Sequence, residues 1–242
     1  MTKIEAEKHS SPITPTLPDR VLFRLGAVSI VLALVLGAVA MGFHGGTHPE
    51  DLPSVLPQYA ANTHWELVHL VQFAADVVML IAFLALYRSI VKGGGVTFAR
   101  IGMAVALVAE AIYGANQAVD GVAIKFVAQE WVNASAIEKT QAFRVAAAVR
   151  HIEIGLSSVW TLTGGISLLF FGIAMTLGRD YPKLLGWSGI VLAVLQIAYS
   201  FNLARNGFIG SPLAIAGLLF APWTLWLAFC LWRKAGKNLP VS

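Results

Sequence analysis

The chain contains a single cysteine, Cys230, which excludes an intrachain disulfide and any multi-cysteine metal centre. It is also poor in charge. Only 12% of its 242 residues are charged, about half the fraction usual in soluble domains. Several catalytic signatures are missing: there is no H-E-x-x-H, no G-x-S-x-G, and no phosphate-binding glycine loop. The last apolar stretch holds no lysine suited to a Schiff base, and Ser157 and Ser158 stand too far along the chain from His151 to pair with it on one helical turn. No basic run with interleaved aromatics exists, so nucleic acid is not an expected partner.

What fills the chain instead is apolar. Hydrophobic residues make up 57%, and the mean hydropathy is +0.71. Six apolar stretches stand out: Leu25–Phe43, Leu67–Tyr87, Ile101–Ala118, Ile154–Leu177, Leu184–Leu203 and Pro212–Trp232. Each is close to the ~20 residues a helix needs to cross a hydrocarbon core of about 30 Å. Lipid cannot satisfy a bare backbone, and nothing alternates in the manner of a β-barrel. The expected fold class is therefore all-α: a polytopic membrane protein with six transmembrane helices and the lipid bilayer as its first partner. Cys230 reads as an apolar filler in the last helix. The sequence holds no internal repeat.

Basic residues set an expected topology. With the N-terminus inside, twelve of the seventeen Lys and Arg residues fall in the inner segments, among them Arg20, Arg88, Arg100, Arg179 and Arg233. Only Lys125, Lys139, Arg144, Arg150 and Arg205 fall in the outer ones. The positive-inside rule thus places both termini in the cytoplasm. Residues 1–20, with Pro12, Pro15 and Pro18, read as a disordered tail, and residues 235–242 as a second tail. A competing reading cleaves a signal peptide near Ala38-Val39-Ala40, against which stand the long apolar run and the long, mixed-charge tail before it.

The six-helix bundle is expected over residues 21–234, with an outer helical cap around 119–150. Ser135-Ala136-Ile137-Glu138 has capping-box spacing, predicting a helix from about Ala136 to Leu177, long enough to project beyond the membrane. The preceding helix is expected to project likewise through Ile124, Phe126 and Trp131, with Gly121 as a kink point. Asn133-Ala134-Ser135 matches a glycosylation sequon of little weight. Gly155, Gly164, Gly165 and Gly172 permit close helix approach on the fourth span, and its lack of charge below Glu153 suggests a central position. Trp187 and Trp232 are expected at the inner interface and Trp65 at the outer one.

Polar residues within these spans carry the functional reading, because ionisable groups in hydrocarbon face a cavity or one another. At 100° per residue, Glu66, His69, Phe73 and Asp76 share one face of the second span, and Glu110, Tyr113, Gln117 and Asp120 share a face of the third. Arg150, Glu153, Ser157 and Thr161 form a stripe on the fourth, with His151 a quarter-turn away. Asp76 and Glu110 form a deep acidic pair at similar depth, and the rest a mouth opening outward. A ligand-binding pocket and a structural hydrogen-bond network are both open readings. Arg150 and Glu153, three apart, are expected to pair; the alternative is that Arg150 takes an anionic headgroup. His44 and His48 read as loop residues. His69 and His151 come from different helices at comparable depth, and together would ligate a haem, or a zinc ion with Glu66 or Glu153.

Three stretches carry a resemblance: Ala111–Gly121 (AIYGANQAVDG), Val149–Ser158 (VRHIEIGLSS) and Pro182–Gly189 (PKLLGWSG). Together they resemble uncharacterised multi-pass proteins of bacterial, especially actinobacterial, plasma membranes. That resemblance implies localisation and fold, and no activity. Three functional expectations follow: a pocket that binds or conducts a small solute, lipid headgroup or protons; a metal- or haem-dependent membrane enzyme; or a structural subunit of a membrane complex.

Overall fold

The structure is a computed structural model, and it describes residues 16–45 and 49–236. All regular structure among these residues is helical. Helix α1 (Leu17–His44) opens with a capping box, in which the Asp19 amide donates to the Thr16 hydroxyl while the Asp19 side chain accepts from the Thr16 amide. It therefore begins inside the stretch expected as a tail, and residues 1–15 lie outside the described residues. A short helix α2 (Leu52–Ala61) follows, then α3 (Trp65–Ser89) and α4 (Gly95–Ala118). A π-helical turn at Val119–Ala123 joins α4 to α5 (Ile124–Asn133) without breaking the rod. Helix α6 (Lys139–Leu177) has 39 residues and is about 58 Å long at 1.5 Å per residue. Helices α7 (Lys183–Asn206) and α8 (Ile215–Ala235) complete the chain, with a 3₁₀ turn at Pro212–Ala214 between them.

Six of these units are long and apolar enough to span a membrane: α1, α3, α4 with α5, α6, α7, and α8 with its leading turn. They correspond to the six stretches read from hydropathy. The chain supports a multi-pass membrane protein. No more than 39% of each span's apolar window is buried within the protein. Leu25, Val28, Val31, Leu32 and Val35 of α1, for instance, all point outward. Such a continuous apolar exterior needs lipid around it.

The spans form a ring in chain order. Helix α1 packs on α3, α3 on α4, α4 on α6, α6 on α7 and α7 on α8, and α8 closes back on α1. No helix is central: α6 is one stave among six, not the hub its lack of charge suggested. Small residues make a close seam between α6 and α7. A Cβ on Gly172 would lie 2.8 Å from Ile190 Cγ1 and 3.0 Å from the Gly186 carbonyl, so α6 and α7 meet backbone to backbone. Gly155 and Gly164, by contrast, face open space.

Across one end of the ring lies a cap with its own core, in which Val55, Leu56, Tyr59, Trp65, Ile124, Ala128 and Ala146 are buried together. It joins α2, α5 and the start of α6. Helix α6 starts at Lys139, three residues later than the capping signature suggests. The Ser135 hydroxyl donates to Glu138 at 2.7 Å, while the intervening residues form a turn. Helix α2 is the element the sequence reading lacks; its internal Pro57 and short length hide it.

Lysines fasten several helix ends. Lys125 is buried and donates to the carbonyls of Tyr59, Ala60 and Asn62 at 2.9, 3.1 and 2.6 Å, closing the C-terminus of α2. Lys139 does the same for α5, Lys183 for α6 and Lys234 for α3. A cation at these carbonyls answers both their free lone pairs and the helix dipole.

Candidate functional site

The polar stripes resolve into two sites at different levels of the ring. The deeper is a cavity of 250 Å³ bounded by α3, α4, α6, α7 and α8. Asp76 and Glu110 both line it, as do Thr161, Ser167 and Gln196, between the aromatic walls of Phe83, Trp160 and Phe220. No Lys, Arg or His lines it. Oε2 of Glu110 is buried without a hydrogen-bond partner. Asp76, likewise, forms no hydrogen bond or ion pair with another described residue. Ser167 donates to the Gly102 carbonyl at 2.8 Å, and Trp160 stacks on Tyr113 at 4.3 Å between centroids, which holds the wall between α4 and α6.

The second site lies at the cap end. His69 is 1% exposed. Its Nδ1 lies 2.7 Å from the Trp65 carbonyl, an acceptor, so Nδ1 carries the proton and Nε2 is left facing Asp120 Oδ2 at 3.0 Å. That contact is off the hydrogen-bonding line, and Nε2 has no aligned partner. The π-helical turn brings Asp120 here. Its Gly121 is what permits the approach, because a Cβ there would fall 2.5 Å from His69 Cβ. His44, at the last turn of α1, completes the group, with its ring 5.1 Å from that of His69. Trp65 packs against both imidazoles and Tyr59, and its indole N–H donates to the Asp120 carbonyl at 2.7 Å. It is wholly buried and belongs to this site, not to an interfacial belt.

Beside this group sits an ion pair. Arg150 Nη1 lies 2.9 and 2.7 Å from the two Glu153 oxygens, the pairing that their spacing predicts. Nη2 donates to the Pro49 carbonyl at 2.8 Å and to the Tyr59 hydroxyl at 3.3 Å, and the guanidinium lies over the Phe208 ring. Burial raises the Tyr59 phenol above its ordinary pKa, so it stays a neutral hydroxyl. Arg150 Nε is buried without a hydrogen-bond partner among the described residues, and Arg150 also borders a second pocket.

Other residues singled out in the sequence fall elsewhere. Glu66 is exposed and joins neither site. Gln117 is buried with its Oε1 unpartnered. His151 is exposed and, with Pro49, Asn206 and Phe208, borders a shallow pocket of 180 Å³. No hydrogen bond, ion pair or ring contact joins it to His69 among the described residues. His48 lies outside the described residues. The members missed by sequence reasoning are His44, Tyr59, Trp65, Trp160 and Gln196. His44 ends one span and Gln196 sits alone on another, so neither stands in a polar stripe. Comparison with protein-family models, curated proteins and solved structures finds no match to the chain.

Proposed function

We propose that this is a multi-pass plasma-membrane protein, with both termini cytoplasmic, that binds a small organic cation in its intramembrane cavity. One observation carries the reading: two carboxyl groups line a cavity among the spans that has no basic residue in its lining, and neither is hydrogen-bonded to another described residue, with Glu110 Oε2 buried. A carboxylate held away from water needs a proton or a cation. The aromatic walls of Phe83, Trp160 and Phe220 add the ring faces that attract organic cations. At 250 Å³ the space suits a solute of about ten heavy atoms or fewer. The orientation rests on the excess of Lys and Arg at the end opposite the cap.

Benzylamine and benzyl alcohol, alike in shape and different in charge, test the reading. Benzylamine is expected to bind the purified protein in detergent and benzyl alcohol not to. Asp76→Asn with Glu110→Gln is expected to abolish that difference. Equal binding of both compounds by the wild type would refute the cation assignment. If the double variant alters only a pH-driven proton flux in liposomes, the carboxyls carry protons instead.

A further inference from the structure

We infer that His44, His69 and Asp120 form a binding site for one divalent transition-metal ion of the zinc class. The inference goes beyond the cavity reading and stands without it. One donor atom from each of the three residues lies within 4.8 Å of the others, and His69 Nε2 and Asp120 Oδ2 are already 3.0 Å apart. An ion bound at about 2.0–2.1 Å with tetrahedral geometry sets its donors roughly 3.4 Å apart, so a shift of His44 toward the other two by an ångström or so suffices.

The surroundings prepare the imidazoles for this role. His69 Nδ1 and His44 Nδ1 face backbone carbonyls, of Trp65 at 2.7 Å and Gly45 at 2.9 Å. In each ring the proton therefore sits on Nδ1 and the lone pair on Nε2, the arrangement that orients metal-bound histidines. His69 Nε2 is fully buried, without an aligned hydrogen-bond partner, and aimed at the carboxylate. Trp65 packs on both rings, and its indole N–H ties down the Asp120 backbone. Two imidazoles and a carboxylate suit zinc and its neighbours better than magnesium or calcium, which prefer oxygen alone. Three protein donors leave a fourth position for water or a ligand, and half-buried His44 and Asp120 leave that side reachable from the cap.

The test uses the purified full-length protein in detergent, stripped with a chelator and titrated with Co²⁺, whose tetrahedral complexes absorb in the visible. One equivalent with that spectrum is expected, displaced by Zn²⁺. His44→Ala and Asp120→Ala should each weaken binding at least about tenfold, the loss met when even an outer-shell partner is removed. His151→Ala should bind as the wild type does. His44 is half-buried, so His44→Ala alone decides if the Asp120 variant fails to fold. Absence of a Co²⁺ spectrum in the wild type, or equal affinity in His44→Ala, overturns the inference, as does loss of the spectrum in His151→Ala.

Discussion

Gly121 and His69 meet so closely that a single methyl group does not fit between them: a Cβ on Gly121 would lie 2.5 Å from the His69 Cβ and 2.9 Å from its Cγ. The contact joins the π-helical turn to α3 and thereby sets Asp120 beside the imidazole. Gly121→Ala is expected to destabilise the protein by about 1–3 kcal/mol through overpacking. Gly155→Ala, on α6 where nothing lies within 4 Å, should be neutral or stabilise by up to ~1 kcal/mol through helix propensity. Thermal unfolding of both variants in the same detergent makes the comparison, and equal melting temperatures would contradict it.

Lys125 holds the end of α2 to α5 through three carbonyls. Lys125→Met keeps the length of the side chain and removes the donors. A loss of about 2–3 kcal/mol is expected, in the range of charge-assisted hydrogen bonds. The change should be local, so hydrogen exchange should accelerate at residues 52–62 while α7 and α8 keep their protection. Uniform acceleration across all helices would show that the cap is not a separate cooperative unit.

The Arg150–Glu153 pair is almost wholly enclosed, with side chains 7% and 2% exposed. Removing one member strands the other charge. Arg150→Met and Glu153→Leu alone are each expected to cost about 3–5 kcal/mol, and together much less than their sum. A double-mutant cycle by denaturant unfolding reads the coupling. Additive losses would mean that the two side chains act separately.

Membrane orientation is open to a direct labelling experiment, because the single cysteine is easily replaced. In a Cys230→Ser background, Ser135→Cys at the cap end should react with a membrane-impermeant maleimide on intact cells. Gly94→Cys, in the turn between α3 and α4, should react only after the membrane is permeabilised. The reverse pattern would invert the topology proposed above.

Much of the architecture is legible in the sequence because hydrocarbon imposes a simple demand. Six runs of suitable length can only be helices, and the structure has them. The Arg150–Glu153 pair is legible for a similar reason, since three residues on one helix leave the partners neighbours in any fold. Helical phase also places Asp76 and Glu110 on inward faces. Phase could not show that they line a cavity apart from His69, because depth counted in residues does not reveal which staves of a ring adjoin.

The assembly of the cap-end site was not legible. His44 and His69 are separated by a whole connection, α2 included, and Asp120 reaches them only because five residues wind as a π-helix. No spacing encodes such a meeting. His151, which depth recommended, is exposed instead, and Trp65 is drawn from the expected interface into the core of the cap.

Composition and periodicity alone therefore determine that this chain is an all-helical membrane protein with six spans and costly polar residues inside them, since solvation acts on each segment independently. Tertiary structure alone decides which of those residues meet. Closure of the ring puts Asp76 and Glu110 around one cavity, and the close approach at Gly121 puts His69 against Asp120, because such contacts depend on packing between segments and on no segment by itself.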